Sequence, residues 1–105
     1  MNIEIKISFT QLTYLNDCFA EMETPISSER VSRISYNILF NLHKKLLKKT
    51  INKIGVKDKF KLSLEYYEGH FLEQYLLHKI EYVSKYELAY HSIQSVINDL
   101  NQKLA

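Results

Sequence analysis

Residues 63–105, SLEYYEGHFLEQYLLHKIEYVSKYELAYHSIQSVINDLNQKLA, decide the reading of this chain. Steps of four and three from Leu72 reach Leu72, Leu76, Lys79, Val83, Tyr86, Tyr90, Ile93, Ile97, Leu100 and Leu104. Only Lys79 interrupts that seam, and Ile80 stands beside it. A helix returns to one face every 3.5 to 3.6 residues, so the spacing predicts one amphipathic helix from about Ser63 to Ala105. No proline interrupts it, and Gly69 is its only weak helix former. At 1.5 Å per residue such a helix is roughly 60 Å long, about twice the diameter of a small domain. It therefore needs other helices, or a second subunit, along its length.

The upstream residues supply that cover. Ile3, Ile5 and Ile7 alternate with Glu4 and Lys6, the pattern of a short half-buried strand. Ser8 and Gln11 are spaced as a capping box, with Ile7 and Leu12 placed as a hydrophobic staple. A first helix is expected over Phe9 to Glu23, with Leu12, Leu15, Phe19 and Met22 inward. A second helix is expected from Ser27 or Ser28 to Ile54, closed by Gly55. It carries two apolar seams, Val31-Ile34-Ile38-Leu42-Leu46 and Tyr36-Phe40-Leu47-Ile51-Ile54. A helix apolar on two sides is expected to lie between two layers, which makes it the central helix. Phe60 and Leu62 alternate with lysines in a second strand, Val56 to Ser63, and pairing of the two strands is expected.

The fold class is thus mainly α (α+β): a long helical hairpin or three-helix bundle with two short strands, in the order β-α-α-β-α. Residues 1–105 form a single domain on this reading. Two glycines and one proline are too few for the turns of a many-stranded fold. The lone Cys18 excludes an internal disulfide and suits a reducing compartment. The alternating start does not read as a secretory signal, and no apolar run approaches the ~20 residues of a membrane span. A cytoplasmic protein with no membrane partner is expected.

Little in the sequence spells out a reaction. The pairs His70/Glu73, His78/Glu81 and Glu87/His91 have helical spacing but share one helix. His43 has no carboxylate near it in the second helix. A di-iron bundle draws its Glu and His ligands from several helices, so solvent-facing polar residues explain these pairs better. Cys18, between Leu15 and Phe19, reads as a small core residue. There is no Gly-x-Ser-x-Gly elbow, no phosphate-binding glycine loop and no Cys-x-x-Cys. We expect no enzyme activity, no cofactor and no metal. The tyrosines of the last helix read as core edge or protein interface.

Two binding expectations remain. The first is a protein–protein interaction module forming a homodimer. Its self-association residues are Tyr86, Tyr90, Ile93, Ile97, Leu100 and Leu104, an apolar strip that soluble monomers rarely expose. An unidentified protein partner fits the same strip. The second, from a different class, is nucleic-acid binding. Arg30, Arg33, Asn37, Asn41, Lys44, Lys45 and Lys48 form a polar stripe without a carboxylate on the second helix. From Lys44 to Lys61 the chain holds eight lysines and one acid, Asp58. Such residues can contact phosphates and base edges, although a charged stripe is more commonly a solvated face.

Overall fold

The computed structural model describes residues 2–20 and 30–105. They form two strands and four helices: β1 (Asn2–Ile7), α1 (Phe9–Ala20), α2 (Arg30–Asn52), β2 (Phe60–Glu65), α3 (Tyr66–Ile80) and α4 (Leu88–Leu104). The class is α+β and mostly helical, as the periodicities imply. The strands pair antiparallel, in a register running from Asn2 opposite Glu65 to Ile7 opposite Phe60. Alternation then sends Ile3, Ile5, Ile7, Phe60, Leu62 and Leu64 to one buried face. Lys6, Lys61, Ser63 and Glu65 stay on the solvated face.

Several local expectations hold. The Ser8 N–H donates to Gln11 Oε1 at 2.9 Å, and the Gln11 N–H donates to Ser8 Oγ at 3.1 Å. That reciprocal pair is the capping box that starts α1. Ile7 and Leu12, the staple residues, are both fully buried. Gly55 adopts φ 85°, a left-handed conformation that suits glycine, and turns the chain three residues after α2 ends. The expected end of the first helix, with Met22, and the expected start of the second lie outside the described residues.

The single long helix does not form, and a fourth helix replaces the three-helix plan. Residues 63–65 belong to β2, because Leu64 extends the inward alternation of Phe60 and Leu62. Ser63 is therefore a strand residue. The cap of α3 is Glu65, whose N–H donates to Glu68 Oε1 at 2.8 Å. The remaining span breaks at residues 81–87. There the Ser84 hydroxyl accepts the Tyr86 N–H at 3.3 Å, and the Ser84 carbonyl accepts the Glu87 N–H at 3.0 Å. Serine competes locally for backbone groups, and Tyr82, Val83 and Tyr86 are indifferent helix formers. The break lets the apolar seam fold onto itself. Leu72, Leu76 and Ile80 of α3 share one core with Ile93, Ile97 and Leu100 of α4. The two helices run antiparallel: the Tyr66 hydroxyl donates to the Leu104 carbonyl, and Asn101 Nδ2 donates to the buried Glu73.

The second correction concerns α2, which is not a central helix. Leu42 and Leu46 of its first seam are fully buried, but Ile34 is exposed and Ile38 only half-buried. Most of its second seam faces outward: Phe40, Leu47, Ile51 and Ile54 are 40%, 42%, 69% and 70% exposed. The covered side of α2 meets α1 and α3 through a row of three rings. Phe19 stacks on His43 at 5.1 Å and on Tyr75 at 4.8 Å. Asn16 Nδ2 adds a 2.7 Å hydrogen bond to Thr50 Oγ1. Gly69 lets α3 lie close to β1, since a Cβ there would run into the end of the Ile3 side chain.

Leu100 is fully buried within one chain. Leu100→Ala should then lower unfolding stability by about 2–5 kcal/mol. In urea titrations the loss should be the same at low and at high protein concentration. A loss that grows on dilution would place Leu100 at an interface between copies.

Candidate functional site

The described residues present exposed chemistry on at least three surfaces, two of which share α2. The positions of α2 fall into three sectors. Leu39, Leu42 and Leu46 join the core. Phe40, Leu47 and Ile51, with half-buried Tyr36 at one end and Ile54 in the turn past the other, make an outward apolar ridge. Asn41, Lys44, Lys45, Lys48, Lys49 and Asn52 make a basic sector on the other side of Lys44. At 100° per residue the ridge and the basic sector are immediate neighbours.

The basic sector lines a groove of about 540 Å³ between α2 and β2, with Leu62 and Ser63 on the strand side. Of the residues expected to bind nucleic acid, the structure brings Asn41, Lys44, Lys45 and Lys48 into this groove. Arg33 and Asn37 are exposed farther along the helix, outside the groove. The side chain of Arg30 lies outside the described residues. Asn52 and Ser63 join the groove although the sequence reading passes over them, and so does Lys49, which that reading counts in the basic run from Lys44 to Lys61 but not in the stripe. The helical spacing Lys45-Lys49-Asn52 was available as a signal for two of them; Ser63 needed the strand position.

Lys45 Nζ pairs with Glu68 Oε1 at 2.9 Å, which removes one charge from the groove. Among the described residues, Lys44, Lys48 and Lys49 form no ion pair. Lys44 Nζ lies 4.5 Å from the Phe40 ring centroid, where the cation is attracted to the ring face. Lys49 and Lys53 both stand over the ring of Phe60, at 5.8 and 5.3 Å. These contacts hold lysines at the groove without neutralising them. His43 adds no charge to α2 near neutral pH, because burial lowers its pKa from the ordinary 6.5.

The residues expected to drive self-association are placed differently. Ile93, Ile97 and Leu100 are buried in the chain's own core, and Tyr90 and Leu104 pack partly against it. Tyr86 is 99% exposed in the 81–87 connection, off the seam altogether. The strip that α4 was expected to offer a second copy is consumed inside the chain.

The third surface is a hollow of about 710 Å³ where the end of α1 meets the α3–α4 connection. Its lining includes Asp17, Cys18, His78, Lys79, Tyr82 and Glu87. Burial pushes the Cys18 thiol up to about 11, with Lys79 pulling it down and Asp17 pushing it up more weakly. The sulfur is thus protonated at neutral pH and a poor nucleophile. The histidine–carboxylate pairs of the last helical region do not converge. Glu73 is buried and accepts hydrogen bonds from Asn101 and Gln74, while His70, Glu81, Glu87 and His91 are exposed. Among the described residues no group of three or more His, Cys, Asp or Glu stands close enough to hold a metal ion. Among them, too, no helix is long and apolar enough to cross a membrane. Comparison with protein-family models, with curated proteins and with solved structures gives no match.

The state of Cys18 gives a pH dependence with a definite sign. The unfolded thiol ionises near 9.0 and the folded one near 11. Above the unfolded value the unfolded chain loses its proton first, so folding stability contributed by this group falls as pH rises from 9.0 to about 11. Comparing denaturation midpoints of the protein and Cys18→Ala across that window should show a steeper decline in the parent. Equal slopes would mean that the thiol is not desolvated.

Proposed function

We propose that the chain is a non-catalytic, cytoplasmic interaction module that self-associates through the outward ridge of α2. The observation that carries this reading is the exposure of Phe40, Leu47 and Ile51 along one side of α2, continued by Ile54 in the turn that follows it. Their spacing, with Tyr36 at the upper end, follows the four-and-three pattern by which one helix packs against another. The ridge offers no hydrogen-bonding side chain except the Tyr36 hydroxyl, so it selects little beyond another apolar seam. A second copy supplies that seam at equal concentration, and a two-fold axis lets the same residues meet themselves. The lone cysteine supports a reducing compartment.

The flanking lysines set the salt response. Pairing two ridges brings Lys44 and Lys48 of both copies toward one interface, where like charges repel. Salt screens that repulsion and leaves apolar burial intact. Sedimentation at tens of micromolar should show a dimer whose fraction holds or rises between about 0.05 and about 0.5 M salt. Ile51→Gln with Ile54→Gln should give a folded monomer, since both side chains are exposed within one chain, with the thermal midpoint of the parent diluted below its dimerisation range. A monomeric parent protein, or a dimer indifferent to the double substitution, would refute the assignment of this face.

A further inference from the structure

We propose that the groove between α2 and β2 binds the sugar–phosphate backbone of single-stranded nucleic acid. This goes beyond the dimer reading and does not rest on it. The groove is a concave channel, about 540 Å³, with a helix on one side and strand residues on the other. Duplex DNA is usually read by an element that protrudes into its major groove, whereas a depression accepts a single extended strand laid along it. Lys44, Lys48 and Lys49 present three ammonium groups there without ion pairs among the described residues. Positive charge lining a channel is what a polyphosphate backbone requires.

Asn41 and Asn52 lie in the same lining, eleven positions apart on α2. Their amides both donate and accept, so they can bond phosphate oxygens or the edges of unpaired bases. The Ser63 hydroxyl adds a neutral polar group from the strand side. The competing carboxylates are already engaged. Glu68 holds Lys45 at 2.9 Å, and Glu4 lies 4.0 Å from Lys61 and takes the Ser63 hydroxyl at 3.5 Å. Exposed Lys57 and Lys59 flank exposed Asp58 in the 53–59 connection, which carries a net positive charge.

The test is fluorescence anisotropy of the full chain with a labelled single-stranded oligonucleotide of mixed sequence and with its duplex. The single strand should bind more tightly than the duplex. With three phosphate contacts the logarithmic salt slope should be about −2, an affinity loss of about twentyfold between about 0.05 and about 0.2 M salt. Lys44→Gln, Lys48→Gln and Lys49→Gln together should abolish binding at the lower salt. Lys6→Gln, Lys85→Gln and Lys103→Gln together remove the same charge elsewhere and should leave most of the affinity. Lys48→Glu alone, at an exposed position, should weaken binding at least fivefold even if the triple variant folds poorly. The ridge variant Ile51→Gln/Ile54→Gln should bind like the parent. Absent binding at the lower salt, tighter binding of the duplex, or equal losses in the two triple variants would overturn the proposal.

Discussion

Pairing of β1 with β2 is the constraint on which the rest of the structure depends. It joins residues 2–7 to residues 60–65, across almost sixty positions of sequence, and creates an apolar face of six large side chains. A two-stranded ribbon is marginal in water, so this face has to be covered. Cover comes from α4, which lies against β1, and from α3, which meets both strands. Gly69 leaves room for the end of the Ile3 side chain where α3 crosses β1. One continuous helix after β2 would have carried its second half away from the ribbon. The break at residues 81–87 returns Ile93, Val96, Ile97 and Leu100 to it instead.

That use of the last helical region explains what remains on α2. Among the described residues the core is built mainly by α1, α3, α4 and the sheet, and α2 contributes Leu39, Leu42, Leu46, the stack of His43 on Phe19 and the Asn16–Thr50 hydrogen bond. Among the described residues no element packs along its other apolar seam. The exposed ridge is therefore the residue of a packing problem already solved, and not a failure of burial. An apolar row beside a basic row is also how a long helix stays soluble with one face uncovered, because lysine stems lie along apolar surface while their heads stay in water. Lys44 over Phe40 is that arrangement in one pair.

How far the sequence reveals this depends on the range of each interaction. The Ser8–Gln11 box, the alternation of β1 and the turn at Gly55 are local, and each is legible from a few adjacent residues. The basic stripe from Arg30 to Lys48 is equally local, and four of its members, Asn41, Lys44, Lys45 and Lys48, stand together along the groove. The helix break is local too, yet it carries neither glycine nor proline, and the four-and-three ladder runs straight through it. Tyr86 shows why that ladder misleads: it fits the spacing but is fully solvated. Periodicity reports which residues can share a face and is silent on whether the helix persists between them. The fate of Ile93, Ile97 and Leu100 is a tertiary matter. Their spacing is the same whether the seam meets a second copy or the chain's own sheet.

The formal net charge of +2 conceals how the charges are sorted. Glu73 is turned inward between α3 and α4, Glu68 is spent on Lys45, and Glu4 faces Lys61 and Ser63 on the sheet. Each of these contacts serves the fold, and each withdraws a carboxylate from the surface that the lysines of α2 occupy. At about 0.15 M salt the screening length is about 8 Å, so distant acids on α4 or α1 do little to offset a cluster of neighbouring lysines. The potential at the groove is consequently set by Lys44, Lys48 and Lys49, and not by the total.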